Sequence, residues 1–163
     1  MLTGARGGTV SDHRLRELGI RIPRIARQEA RRAGLELAVL CAVLEQETGG
    51  GRNVFGHDPT IFVGAGEVTR AKYLAYRRER DRTGKMQGVG PMQLTWKGYQ
   101  DLADRYGGCW RPRINVRVGA QILGGGIRGR GLLRALRSYN GSLRYALRVR
   151  LRVRKWRRLL AET

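Results

Sequence analysis

The chain has 163 residues, 41% of them hydrophobic, and carries 33 Lys and Arg against 13 Asp and Glu, for a net charge of +20. That length fits one domain with a packed core that needs neither disulfides nor metals, and two histidines beside two cysteines offer no metal-ligand spacing. The positive field draws the protein to polyanions such as nucleic acid, anionic lipid or the polymers of a bacterial wall, without choosing among them.

In chain order, residues 1–10 read as a flexible N-terminus and 11–163 as a single domain. No apolar signal-peptide core opens the chain, and no apolar run approaches the ~18 residues of a membrane span. Synthesis in a cytoplasm is therefore expected, with Cys41 and Cys109 as reduced thiols. Residues 11–33 predict one or two short basic helices interrupted near Pro23, with Gly34 as a stop. Residues 35–48 are apolar on nearly every face until Glu45, the pattern of a helix buried in a core. Gly49-Gly50-Gly51 ends it, because glycine readily takes the left-handed geometry of a helix C-cap. Residues 52–66 form a glycine-rich loop, 67–82 an arginine-heavy surface helix, and 83–94 a second glycine-rich segment.

Thr95 can cap a helix to about Tyr106, and Asn115 opens another to about Gly124. Further helices are expected at 130–139 and from about 142 to 160. In this last one, Leu147 to Arg154 alternates with the period of a strand, whereas Leu143, Leu147 and Leu151 fit a helical stripe. Helix is the favoured reading. The fold class that follows is mostly α, with long loops and at most a small β-hairpin.

Glu47 continues the helical face of Leu40, Val43 and Leu44, at the end of a buried stripe. Desolvation raises a carboxyl pKa, and the negative end of the helix dipole acts in the same direction. A carboxylic acid still protonated near neutral pH is what glycoside cleavage needs to protonate its leaving oxygen. Glu45 has apolar neighbours too, Cys41 and Ala42, so periodicity does not reject it. The glycine run beyond Glu47 leaves open space there and tilts the choice.

Four motifs then follow in order. Glu45-Gln46-Glu47-Thr48 ends the buried helix, and Gly88-Val89-Gly90-Pro91-Met92-Gln93-Leu94-Thr95 comes next. Asn115-Val116 and Gly119-Ala120 open a later helix, and Ala135-Leu136 precedes Tyr139-Asn140-Gly141. This series resembles the soluble lytic transglycosylase and goose-type lysozyme family over roughly residues 35–145. Members show a helix-ending Gln-Glu-Ser, then Gly-Leu-Met-Gln, then Asn and Gly-Ala on a helix, then Ala-Tyr-Asn-Ala-Gly. The resemblance implies a lysozyme-like α-helical domain that cuts peptidoglycan without a cofactor. It makes Glu47 the catalytic acid. Gly90, Met92 and Gln93 would line the cleft, with Gln93 hydrogen-bonding substrate. Tyr139 and Asn140 would close the site near the glutamate. Pro91 departs from the family's leucine, Thr48 from its serine, and the helix at 67–82 is an insertion.

A hydrolase needs a second group to activate water, whereas in a lytic transglycosylase the muramic acid 6-hydroxyl attacks and leaves an anhydro end. Asp58, in Phe55-Gly56-His57-Asp58, stands where a goose-type aspartate would be. The family's second aspartate position holds Thr95. Hydrolysis is slightly favoured.

Two other classes compete: a nucleic-acid-binding protein, supported by the arginine density, and a wall-binding protein without activity. No zinc-finger, RNP-type or basic-zipper pattern supports specific nucleic-acid binding. The expected partners are peptidoglycan strands and an anionic wall or membrane surface, the expected state is a monomer, and the setting is a phage-type lysin released through a membrane pore. Arg144, Arg148, Arg150, Arg152, Arg154, Lys155, Arg157 and Arg158 in the C-terminal helix are the leading candidates to hold such a surface.

Overall fold

The centre of the protein is a helix with no polar side until its last turn. The structure, a computed structural model, describes residues 10–57 and 66–162. The expected flexible N-terminus falls outside the described residues except for Val10, and Asp58 falls outside them too. In α3 (Leu37–Thr48) every residue from Ala38 to Leu44 is buried, and Gly49 closes the helix at φ 61°. Around it stand α1 (Asp12–Glu17), α2 (Pro23–Ala33), α4 (Arg70–Thr83), α5 (Lys97–Arg105), α6 (Pro112–Arg130), α7 (Leu132–Asn140) and α8 (Leu143–Ala161), giving a mostly α fold. α8 packs along α3, α2 along α6, and α7 against both α6 and α8. The β content among the described residues is three antiparallel bridges, Val54 to Glu67, Phe55 to Val89 and Val89 to Leu94.

Local chemistry sets most boundaries. The hydroxyls of Ser11, Thr69 and Ser142 accept the Arg14, Lys72 and Tyr145 amides at the starts of α1, α4 and α8. Pro23 opens α2 rather than breaking a longer helix. Two expectations need correction. Thr95 does not cap α5: its hydroxyl donates to the Gln93 carbonyl at 3.1 Å, and the cap position belongs to Trp96. α6 is longer than expected at both ends, opening at Pro112 and passing through Gly124-Gly125-Gly126 to Arg130. Those glycines serve close packing rather than termination. A Cβ on Gly124 would stand 2.8 Å from the Ala33 carbonyl oxygen of α2, and one on Gly126 would stand 3.1 Å from Ala135 Cβ of α7.

Charged side chains also join the helices. The buried carboxylate of Glu29 on α2 meets Arg113 and Arg117 of α6 at 3.5 and 3.2 Å. Arg80 of α4, 1% exposed, donates to Gln100 and Asp101 of α5. Cys41 and Cys109 are free and buried, with thiols pushed up to about 12 by burial.

Candidate functional site

The last turn of α3 presents Glu45 and Glu47 in two different environments. Glu45 faces α8, where its carboxylate accepts Arg152 at 2.8 Å, Lys155 at 2.5 and 2.7 Å, and the Trp156 indole N–H at 2.7 Å. Burial pulls its pKa up, but the Lys155 and Trp156 hydrogen bonds and the two cationic charges outweigh that and hold it below the ordinary carboxylate value. Glu45 is an anchor between helices.

Glu47 has one hydrogen-bond partner among the described residues, the Tyr145 hydroxyl, which donates to Oε1 at 2.5 Å. Tyr145 sits in the first turn of α8, fixed there by the Ser142 cap, and is 8% exposed. Burial pushes Glu47 up from 4.5 to about 7, opposed in part by the Tyr145 bond. The carboxyl therefore exchanges its proton near neutrality, and Oε2 has no protein partner among the described residues.

The loop from Gly88 to Thr95 is pinned beside this carboxyl from several elements. Thr48, next to Glu47, donates its hydroxyl to the Pro91 carbonyl at 2.9 Å. Tyr139 of α7 donates to the Met92 carbonyl at 2.6 Å. Buried Asn115 of α6 accepts the Met92 amide at 2.9 Å and donates to the Val89 carbonyl at 2.8 Å. Gly90 turns the chain at φ 76°, where a Cβ would stand 2.5 Å from the Asn115 amide nitrogen. A groove of about 290 Å³ runs between this loop and the end of α7, lined by Gln93, Trp96, Tyr99, Tyr139 and Asn140 among others.

The expected site residues fall into distinct places. Gln93, Tyr139 and Asn140 line the one groove and Glu47 is not among its lining residues, but Tyr139 is close enough for the Glu47 charge to join burial in raising its phenol well above the ordinary value. Asn140 is exposed at the groove rim. Gln93, at φ 48°, is part of the wall, yet both its amide protons are committed to the Val54 and Gly90 carbonyls at 2.9 and 3.0 Å. The donor expected to reach a substrate therefore fastens the two loops together. Met92 is 0% exposed, and its side chain lies where a Cβ on Gly119 would stand 2.7 Å away, so it is core rather than cleft lining. Gly90 shapes the turn.

Three residues were not singled out from the sequence as site residues. Tyr145 follows Ser142 by three positions, but nothing local aims its hydroxyl at Glu47. Asn115 stands in the Asn115-Val116 motif, which gives no local sign that its side chain clamps the loop. Trp96 follows Thr95 directly and is 58% exposed, its ring over Gly98 and edge-on to Tyr99 at 4.9 Å. An exposed indole at a groove wall carries the signal of a stacking platform. Among the described residues no group of three or more His, Cys, Asp or Glu could hold a metal ion.

No family model matches the chain, and no similar curated protein or solved structure was found.

Proposed function

We propose that this chain is a peptidoglycan muramidase that cleaves the MurNAc–GlcNAc β-1,4 bond with Glu47 as general acid and so lyses bacterial cell walls. The observation that carries the reading is the part-buried Glu47 carboxyl, which titrates near 7 with one oxygen free of partners among the described residues. Such an acid is protonated often enough at neutral pH to give its proton to a leaving glycosidic oxygen, and its conjugate base can then take one back. The aromatic- and amide-lined groove, whose wall residue Tyr139 feels the Glu47 charge, has the chemistry of a sugar site, with the exposed indole of Trp96 in its wall to pack on a pyranose ring. Hydrolysis by water is the reading favoured, with Asp58 the candidate base.

The test is dye release from labelled bacterial walls, with products analysed by mass spectrometry. Glu47→Gln keeps the shape of the side chain but not its acidity, and should lower the rate by about 10²–10⁴-fold. Full activity in that variant ends the proposal. Reducing ends are expected among the products. Anhydro ends, lighter by one water, assign transglycosylation instead.

A further inference from the structure

Helix α8 has a second apolar face that the fold leaves uncovered. Its inner side, Tyr145, Ala146, Val149, Val153 and Trp156, is buried in the core. Its outer side carries Leu143, Leu147 and Leu151, spaced one turn apart and 47%, 39% and 62% exposed. With Leu147 at the centre of the outer face, the helical repeat puts Leu143 and Leu151 within ~40° of it and Arg144 and Arg150 at ~60° on opposite sides. Arg154 and Arg158 continue the leucine ridge toward the C-terminus, and Arg148 flanks it.

The basic residues of this helix divide by partner. Arg152 and Lys155 are taken by Glu45, and Arg157 by Glu36. Arg144, Arg148, Arg154 and Arg158 are exposed, and their side chains make no ion pair or hydrogen bond among the described residues. The outer face is thus a row of solvent-exposed leucines bordered and extended by free guanidinium groups.

The chemistry of that face selects its partner. A soluble polyanion would take the arginines and leave the leucines in water. A second copy of the helix would cover the leucines but bring rows of arginine together on a chain of net charge +20. An anionic bilayer satisfies both features. Leucines enter the boundary between headgroups and acyl chains, while guanidinium forks meet lipid phosphates at the same depth. Among the described residues no helix is long and apolar enough to cross a membrane, so the helix would lie along the surface.

We propose that the outer face of α8 is a binding surface for anionic phospholipid bilayers, with Leu143, Leu147 and Leu151 inserted and Arg144, Arg148, Arg154 and Arg158 paired to phosphates. The inference is independent of Glu47 and its chemistry.

Co-sedimentation with phosphatidylethanolamine–phosphatidylglycerol vesicles tests it, with phosphatidylcholine vesicles and soluble polyphosphate as comparisons. The parent binds the anionic vesicles and not phosphatidylcholine. The triple variant Leu143→Ser, Leu147→Ser, Leu151→Ser loses vesicle affinity by about tenfold or more, since apolar burial drives insertion, while its polyphosphate affinity is unchanged. Because the three leucines are 39–62% exposed, the variant should keep the parent's circular dichroism at about 25 °C, with a thermal midpoint lowered by a few degrees through weaker helix propensity and lost partial burial. Replacing Arg144, Arg148, Arg154 and Arg158 with Gln weakens both kinds of binding. Vesicle binding equal in the leucine variant and the parent overturns the proposal in favour of a plain polyanion surface. A parent dimer that the leucine variant dissolves overturns it in favour of self-association.

Discussion

Glu45 and Glu47 are two positions apart, and a helix turns them ~200° from one another. Their nearest helical neighbours are apolar in both cases, so the sequence alone leaves the pair nearly equivalent. What separates them is α8, which brings Lys155, Arg152 and Trp156 to one and Tyr145 to the other. A sequence read one helix at a time has no means of placing that partner. Two predictions belong at this scale. Glu47 is held up from 4.5 to about 7 in the fold, so between those values the folded state binds the extra proton and stability falls as pH rises. Glu47→Gln should therefore match the parent near pH 4 and exceed it by roughly 3 kcal/mol above pH 7, as 1.36 kcal/mol attends each pKa unit. Urea denaturation at the two pH values measures this, and equal stability at high pH would contradict it. Under the proposed function the acid form is lost above about 7, so wall cleavage should decline along an alkaline limb near that value. Tyr145→Phe removes the hydrogen bond that favours the charged carboxylate and should move the limb upward. A limb that stays in place would mean that Glu47 does not govern it.

The elements themselves were largely legible because the chain marks their ends. Gly34 and Gly49 end α2 and α3 where expected, Pro23 stands at the expected interruption and Ser142 opens α8, whereas Thr69 starts α4 inside the range 67–82 expected to be helix. Less legible was the job of residues whose partners come from elsewhere in the chain. Met92 and Gln93 look like cleft residues in a glycine loop, yet one fills the core and the other ties two loops together. The stripe Leu143, Leu147, Leu151 points correctly to a helix but lies on its solvent side, because Tyr145, Val149, Val153 and Trp156 supply the larger inward face. The glycines of α6 show the same dependence on neighbours and can be tested in adjacent positions. Gly125→Ala meets nothing within 4 Å and should stabilise the protein by up to about 1 kcal/mol, the helix-propensity gain. Gly124→Ala forces a methyl against the Ala33 carbonyl oxygen at 2.8 Å and should destabilise it despite the same gain. Asn115→Ala leaves the Met92 amide buried without a partner, while the Val89 carbonyl keeps the Leu94 amide, a loss of roughly 1–3 kcal/mol for one orphaned group. Midpoints of urea unfolding for the three variants check these signs, and a Gly124→Ala protein as stable as Gly125→Ala would contradict the close α2–α6 contact.

Over the whole molecule, composition marks a strongly basic protein and the element pattern a helical one, but neither tells how the charge is distributed. Several of its acids lie between helices: Glu29 binds α2 to α6, Glu45 binds α3 to α8, and Asp101 binds α4 to α5. The surplus is left on the surface, where Arg144, Arg148, Arg154 and Arg158 share one face of one helix. Two electrostatic effects then oppose each other. Exposed ion pairs such as Arg14–Glu17 weaken as salt is added, but such pairs are worth only ~0–1 kcal/mol each. Self-repulsion in a chain of net charge +20 is relieved by the same salt, because charges farther apart than the Debye length, ~10 Å at 0.1 M, cease to act on each other. The long-range repulsion is the larger reservoir, so sodium chloride should raise the melting temperature at neutral pH. A relief of about 1 kcal/mol corresponds to roughly 2–4 °C for a chain of this size. Replacing Arg144, Arg148, Arg154 and Arg158 with Gln removes four exposed charges from α8 without touching the Glu45 anchor. That variant should melt higher than the parent at low salt and respond less to added salt, the two curves converging as screening becomes complete. Scanning calorimetry across a chloride series measures both slopes. A melting temperature that falls with salt, or the same slope in parent and variant, would show that local ion pairs rather than the net positive field govern the stability of the fold.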